Sequence, residues 1–304
     1  MLFSAALAGF ATTAEMQAQS IQLTGATDDQ ANAIGVKSCD GVPLFADFDN
    51  NGYMDIFTSG QTYEWLCDNA EKDEWSWHWH DGSFVAFNNG DGTYNTQKDG
   101  QIELPIAYGG KGSVAFDFNQ DGYTDFLYLS KGGTGWTGKS QTKVILMVNN
   151  GDGTFTQKDD PGLASFNFNY DDGKVSQCLS IADYNKDGYP DAIIQFEQGE
   201  PWERAIRLLK NVNGDHFEVV TNAGIMPQCG GRIAFGDFNN DGWADIIVSG
   251  WVDGNDANKA NFGITDGGSQ THFYRNKKDG TFELATGDMG DVTEIGKKYR
   301  MGDW

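Results

Sequence analysis

Four acidic loops recur along the chain and carry the residue types that bind a hard divalent cation. Each loop spans nine positions, with Asp or Asn at positions 1, 3, 5 and 9 and Gly at position 6. Ligands separated by single residues, followed by a tight glycine turn, wrap oxygen atoms around one centre. About six hard oxygens at ~2.3–2.6 Å suit Ca²⁺, and the backbone carbonyl of position 7 would add another. The predicted ligand positions are Asp47, Asp49, Asn51, Tyr53 and Asp55; Asp117, Asn119, Asp121, Tyr123 and Asp125; Asp183, Asn185, Asp187, Tyr189 and Asp191; and Asp237, Asn239, Asp241, Trp243 and Asp245.

Several alternatives to a calcium loop fit these residues less well. Mg²⁺ prefers a strict octahedron with retained waters, and soft transition metals favour the Cys and His that the loops lack. An EF-hand needs a Glu at position 12 between two helices. A metal-free acidic turn would leave three carboxylates repelling one another in each loop. Position 12 lies here in a strand-like apolar run and is not Glu in any loop, which excludes the EF-hand; the residues are Thr58, Tyr128, Ile194 and Val248. The sequence therefore predicts about four structural Ca²⁺ ions.

A second motif follows each acidic loop and predicts the elements that position it. An apolar run leads into an Asn/Gly/Asp turn and then an aromatic residue, which is typical of a β-hairpin. Each repeat is therefore expected to contain a strand, the acidic loop, a strand, a variable insert, a strand, a tight turn and a strand. The four copies are FVAFNNGDGTY from Phe84, ILMVNNGDGTF from Ile145, RLLKNVNGDHF from Arg207 and HFYRNKKDGTF from His272.

The period of the repeat predicts an all-β fold, a β-propeller of four-stranded blades. The first Asp of successive loops is separated by 70, 66 and 54 residues, and four strands per unit at such spacing are typical of propellers. A β-sandwich or β-solenoid is the alternative. Met301–Trp304 matches Phe235–Phe238, so a fifth blade is expected to begin near residue 298, as part of a propeller of about seven blades. A four-bladed ring whose end strands pack together is the alternative. The predicted blades span residues 41–97, 111–159, 176–222 and 231–285.

The loops and the NNGDGTF turns resemble the FG-GAP/VCBS repeat family, the calcium-loop propellers that also form the integrin α-subunit head. The resemblance covers roughly residues 41–304. It implies that the matching Asp and Asn residues are calcium ligands and that the protein is an exported bacterial one. The two residues before the first Asp of a loop are Phe-Gly in one loop only, at Phe235-Gly236. This places the chain nearer the bacterial VCBS type than the integrins. Members serve as adhesins, lectin-like binders and propeller domains of polysaccharide lyases, so the fold leaves the function open.

The N-terminus predicts export. Leu2–Ala11 is a short apolar run, and residues 1–18 resemble a secretory signal peptide with cleavage after Ala14 or Ala18. An N-terminal strand or a short core helix is the alternative. We expect a periplasmic, cell-surface or extracellular location. The four cysteines form no CxxC pair, which disfavours a zinc cluster and permits two disulfides, with Cys39–Cys67 the preferred pairing.

Charge and hydropathy exclude two classes of partner. Lys and Arg number 21 against 44 Asp and Glu, for a formal net charge of -23, whereas nucleic-acid binding needs clustered basic residues. The chain lacks an apolar stretch of the ~18 residues that a transmembrane helix requires. It also lacks a nucleophile elbow, a metalloprotease helix and a phosphate-binding loop. We therefore expect no catalytic residues.

Tryptophans after the acidic loops are the predicted ligand-binding residues. One follows each loop, and the first insert adds three more that alternate with Ser and His in a predicted strand. Exposed indoles suit carbohydrate or protein surfaces, while packing over sheet edges is the alternative. The sequence predicts an exported calcium-binding module for carbohydrate or protein at the cell surface, with a polysaccharide lyase or a purely structural repeat domain as the alternatives. The candidate tryptophans are Trp65, Trp75, Trp77, Trp79, Trp136, Trp202 and Trp251.

Overall fold

The computed structural model describes residues 43–58, 61–69, 74–81, 84–96, 112–132, 140–158, 168–170, 177–196, 206–252, 260 and 267–285. Within these ranges the chain is all-β, and Ala260 alone has helical conformation. No helix in this part of the chain is long and apolar enough to cross a membrane. The strands are β1 (Pro43–Ala46), β2 (Asp55–Thr58), β3 (Gln61–Asn69), β4 (Glu74–Asp81), β5 (Phe84–Asn88), β6 (Tyr94–Thr96), β7 (Gly112–Phe116), β8 (Asp125–Gly132), β9 (Ser140–Asn149), β10 (Phe155–Gln157), β11 (Phe168–Tyr170), β12 (Gln177–Ala182), β13 (Asp191–Phe196), β14 (Ile206–Val212), β15 (His216–Val219), β16 (Cys229–Gly236), β17 (Asp245–Val252), β18 (Gly268–Asn276) and β19 (Phe282–Leu284).

Four sheets, each with a path of four antiparallel strands, follow one another along the chain. Sheet 1 has the order β1-β2-β5-β6, sheet 2 β7-β8-β9-β10, sheet 3 β12-β13-β14-β15 and sheet 4 β16-β17-β18-β19. In each sheet the first two strands flank an acidic loop and the last two flank the hairpin turn. In sheet 3, for example, Ala182 lies opposite Asp191 and Val212 opposite His216. The prediction of an all-β chain built from four-stranded units is confirmed.

Two additions lie outside the four-strand pattern. Strands β3 and β4 pair with each other as a separate two-stranded sheet inside the first repeat. Strand β11 pairs with the beginning of β9, with Phe168 opposite Thr142. The variable inserts and connections therefore contribute strands of their own without interrupting the regular sheets.

Apolar clusters join consecutive sheets. The first strands of neighbouring sheets contact each other, β1 with β7, β7 with β12 and β12 with β16. One cluster lies between sheets 1 and 2 around Phe57 and Phe126, and a second lies between sheets 2 and 3 around Leu127 and Phe217. A third, between sheets 3 and 4, contains Ile193. Each sheet thus packs face to face on the next.

The middle sheets are buried on both faces, which explains their almost continuous apolar strands. In β8, Phe126 and Tyr128 pack toward sheet 1, while Leu127 and Leu129 pack toward sheet 3. All four side chains have no exposed surface. Successive residues of a strand point to opposite faces, so a strand between two neighbouring sheets has apolar residues at every position rather than at alternate ones.

Some of the predictions fall on residues that the structure does not describe. The proposed signal peptide over residues 1–18, the start of a fifth repeat near residue 298 and Cys39 lie outside the described ranges. Cys178 is a free cysteine in this structure, so it takes part in neither of the two disulfides that an even number of cysteines permits, and the preferred Cys39–Cys67 pairing stays a prediction. The Cys178 thiol lies half-buried, 3.4 Å from the Ile233 carbonyl oxygen, in the contact between sheets 3 and 4.

Candidate metal centres

The first Asp of each acidic loop organises the loop through backbone hydrogen bonds. We define loop 1 as residues 47–55, loop 2 as 117–125, loop 3 as 183–191 and loop 4 as 237–245. In loop 1 the Asp47 carboxylate accepts N–H bonds from Asn51 at 3.1 Å and Gly52 at 2.8 Å. The same pair of bonds recurs in the other three loops. The carboxylate therefore lies at the centre of the turn.

The chain reverses through two residues with left-handed backbone conformation. Position 4 has a φ near 60° in all four loops, for example 58° at Asn50 and 61° at Gln120. The glycine at position 6 also has positive φ, 88° at Gly52 and 97° at Gly188. Residues with a side chain tolerate a φ near 60° but are disfavoured at the 82–97° of position 6, which explains why position 6, and not position 4, is Gly in every loop.

Positions 3 and 5 always combine one Asp with one Asn, in either order. In loop 1 the Asn51 amide donates to the Asp49 carboxylate at 3.0 Å. In loop 2 the order is reversed, and Asn119 donates to Asp121 at 2.9 Å. In each loop the position-3 side chain accepts the N–H of position 5, and the position-5 side chain accepts the N–H of position 7. The exchange preserves both the charge of the loop and its hydrogen bonds.

The Asp at position 9 is fully buried at the start of the second strand in all four loops. In loop 1 the two carboxylate oxygens of Asp55 accept N–H bonds from Phe48 at 2.7 Å and Asn88 at 2.8 Å. Burial, which penalises the charged form, raises the pKa of each position-9 carboxyl above its ordinary 3.8, to about 6 for Asp125 and about 7 for Asp191. A nearby cation would favour the ionised form and offset that penalty.

The donor atoms fit calcium. The ligand atoms of Asp47, Asp49 and Asp55 lie within 4.8 Å of one another. Among the described residues this is the one cluster of three acidic, His or Cys side chains whose ligand atoms lie that close together. The other loops have Asn rather than Asp at position 3. In loop 4 one carboxylate oxygen of Asp245 is buried and has no hydrogen-bond partner. An oxygen-only donor set with a buried, unsatisfied carboxylate oxygen is the environment that a hard cation satisfies.

The sequence interpretation missed the first Asn of each hairpin turn. The side-chain amide of Asn149 donates to the Thr124 carbonyl at 3.0 Å, and its backbone N–H donates to Asp125 at 2.7 Å. Equivalent bonds connect each hairpin to the acidic loop of its own sheet through the residues Asn88, Asn211 and Asn276. The signal was present, because this Asn recurs at one place in all four hairpin motifs, but its tertiary partners cannot be read from spacing.

Two lysines near the loops were also missed. Lys278 Nζ lies 3.0 Å from the Asp241 carboxylate and Lys210 Nζ lies 3.3 Å from that of Asp187. The hydrogen bond from Lys278 is the main cause that lowers the pKa of Asp241. Lys278 occupies the turn position where the first two hairpins have Gly, with a φ of 65°. Loops 3 and 4 therefore carry an internal cation beside their position-5 carboxylate.

The predicted ligand-binding tryptophans are only partly described. Trp251 lies on β17 and is 51% exposed. Trp75, Trp77 and Trp79 lie on β4 as the alternation predicted, and Trp77 is in register with Trp65 of β3. The two candidates outside the described residues are Trp136 and Trp202.

Comparison with known proteins adds little to this geometry. No protein-family model and no curated protein matches the chain. Among solved structures, the chain is similar to a lectin from Agrocybe aegerita that recognises non-reducing terminal N-acetylglucosamine, with 19% identity and a TM-score of 0.35 over 80% of this chain. The chain covers about half of that lectin's length, 51%. A likeness of this size carries no argument about ligand or fold.

Proposed function

We propose that this chain is a calcium-stabilised β-propeller of the FG-GAP/VCBS type that serves as an exported binding or scaffold module. The observation that supports it is the same hydrogen-bonded carboxylate frame in all four loops, completed in each by a fully buried Asp. Positions 1, 3, 5 and 9 and the carbonyl of position 7 would hold one Ca²⁺ per loop. The ion would supply positive charge and no redox chemistry, and the proposal assigns no catalytic residue.

The propeller is supported by how the sheets contact one another. The same contact, first strand against first strand with an apolar cluster beside it, occurs between sheets 1 and 2, 2 and 3, and 3 and 4. Repetition of one sheet-to-sheet contact is typical of blades arranged around an axis. Closure of a ring is part of the proposal.

Charge explains why the metal would stabilise this fold. Each loop holds three carboxylates, and four divalent ions add eight positive charges, which would bring the formal net charge from -23 to -15. At a calcium concentration ~100-fold above Kd, each site contributes roughly 2.7 kcal/mol to the free energy of unfolding. Several such contributions compare with the ~5–15 kcal/mol net stability of a whole domain.

The binding role for carbohydrate or protein rests on exposed aromatic surface. Trp251 is half exposed on the second strand of sheet 4, and an exposed indole offers a flat apolar face to a sugar ring or a protein side chain. A glycan array screened with calcium tests this role, with Trp251→Ala as the matched variant. Binding that survives Trp251→Ala unchanged would exclude this residue as the platform.

Calcium itself is tested by metal analysis and thermal unfolding. We expect about four Ca²⁺ per chain and a large fall in the unfolding midpoint after removal with EGTA, restored by Ca²⁺ and only weakly by Mg²⁺. Asp117→Asn removes one position-1 carboxylate, and its matched control Asp152→Asn removes an exposed hairpin carboxylate outside the loops. An unchanged midpoint with EGTA would refute the structural role of the metal.

A further inference from the structure

We propose that calcium binding at neighbouring loops is cooperative, and that the first Asn of each hairpin is the positioning residue that couples them. The inference rests on the proposed function and adds to it a rule for how the sites fill. Its basis is a path of hydrogen bonds that runs between the buried carboxylates of successive sheets.

The path from loop 1 to loop 2 has three bonds. The N–H of Phe48 donates to the Asp55 carboxylate at 2.7 Å. The carbonyl of the same residue accepts the side-chain amide of Asn149, also at 2.7 Å. The backbone N–H of Asn149 donates to Asp125 at 2.7 Å. These four residues are at most 2% exposed, so water does not compete for the bonds.

The same path continues through the next two sheets. Asn211 donates its side-chain amide to the Phe118 carbonyl at 2.9 Å and its backbone N–H to Asp191 at 2.8 Å. Phe118 in turn donates its N–H to the Asp125 carboxylate at 2.8 Å. Asn211 thereby joins loop 2 to loop 3 as Asn149 joins loop 1 to loop 2.

Loop 3 is joined to loop 4 in the same way. Asn276 donates its side-chain amide to the Tyr184 carbonyl and its backbone N–H to Asp245, each at 2.8 Å. The N–H of Tyr184 donates to Asp191 at 3.2 Å. The path ends at Asp245, whose second carboxylate oxygen is buried and without a partner.

A second set of contacts links the loops at the surface. The side chain of Asn50 donates to the Gly122 carbonyl at 3.2 Å, and that of Gln120 donates to the Gly188 carbonyl. Lys186, at the same position of loop 3, places its Nζ 4.7 Å from the centre of the Trp243 ring. The position-4 side chains of loops 1, 2 and 3 therefore each reach the turn of the next loop.

Coupling follows because the backbone of one residue serves two sites. The residue at position 2 gives its N–H to the carboxylate of its own loop and its carbonyl to the Asn of the next sheet. Metal binding that fixes the first carboxylate also restricts the backbone of this residue, and hence the Asn that holds the next carboxylate. Hydrogen bonds in a buried network strengthen one another, so a filled loop favours the metal-bound geometry of its neighbour.

Loop 4 provides a site-specific reporter. It has Trp243 at position 7, where the other loops have Tyr, so Tb³⁺ luminescence sensitised by Trp reports binding there, and Trp243→Phe should abolish the signal. Asp187→Asn removes a predicted ligand carboxylate from loop 3, which should weaken cation binding there, and changes no predicted ligand of loop 4. We expect it to lower Tb³⁺ affinity at loop 4 at least fivefold, the lower end of typical coupling between sites. Asp215→Asn, an exposed carboxylate on the hairpin of sheet 3, is the matched control and should leave that affinity unchanged.

The route is tested in the Asn276→Ala background. There Asp187→Asn should have a much smaller effect on loop 4, because the connecting amide is gone and only the surface contact between Lys186 and Trp243 still joins the two loops. If Asn276→Ala fails to fold, the Asp187→Asn result alone decides whether the sites are coupled. Unchanged affinity at loop 4 would overturn the coupling, and an effect of undiminished size in Asn276→Ala would overturn the route through Asn276. Absence of metal uptake at every loop would instead overturn the proposed function.

Discussion

The buried Asp191 makes a sharp prediction about the metal-free protein. Burial raises the pKa of this carboxyl to about 7, against an ordinary 3.8 in an unfolded chain. Between these values the folded state holds a proton that the unfolded state has lost. The free energy of unfolding must therefore fall as pH rises from about 4 to about 7.

The size of the effect follows from the two pKa values. A pKa that is about 3 higher in the folded state corresponds to about 4 kcal/mol, at 1.36 kcal/mol per pKa unit. About 2 kcal/mol of this falls between pH ~5 and pH ~7, and about 3 kcal/mol between pH ~5 and pH ~8, the window that an experiment can reach. Asp191→Asn mimics the protonated form at every pH, and its lost carboxylate hydrogen bond costs stability equally throughout.

Urea unfolding of metal-free wild-type and Asp191→Asn protein provides the assay. We expect the difference in unfolding free energy between them to move in favour of the variant by about 3 kcal/mol from pH 5 to pH 8. Taking the difference cancels His272, whose pKa burial lowers to about 4 and whose pH dependence is opposite in sign. Saturating calcium should remove the contribution of Asp191 to the pH dependence of wild type, because the ion stabilises the charged carboxylate, and should leave that of His272. Parallel wild-type and variant curves in the absence of metal would refute the reasoning.

Three further predictions concern single residues. Lys278→Gly should raise calcium affinity at loop 4 several-fold in a Tb³⁺ titration, because it removes the cation 3.0 Å from Asp241; equal affinity would show that the ion pair does not compete. Gly151→Ala should lower the free energy of unfolding in urea by more than about 1 kcal/mol, since its φ is 76° and an added Cβ would lie 2.6 Å from the Tyr123 ring. Tyr123→Ala in the same protein should relieve the steric part, and no relief would contradict the contact. Asn149→Ala should lower the free energy of unfolding in urea by about 2–4 kcal/mol, because it leaves buried hydrogen-bonding groups without a partner. A decrease under about 1 kcal/mol would mean that water replaces the amide.

Local patterns could be predicted because local geometry sets them. The nine-residue loop needs alternating Asp and Asn and a glycine with positive φ, and the hairpin needs its own turn residues, so both motifs carry their structure within about ten residues. Pairing of the first two strands and of the last two strands in each sheet followed for the same reason, because the acidic loop and the hairpin turn bring those strands together. The four-stranded units around Asp47 and its three counterparts could thus be predicted from the sequence.

Contacts between sheets were decided only by the tertiary structure. That Leu127 packs on sheet 3 while Tyr128 packs on sheet 1 depends on which sheets lie on each side. Asn149 reaches a carbonyl 101 residues away, and Lys278 reaches Asp241 across the turn of its own sheet. A motif repeated along the chain specifies the local structure within each unit. The bonds between units depend on their relative placement, and the packing of many apolar side chains at once sets that placement.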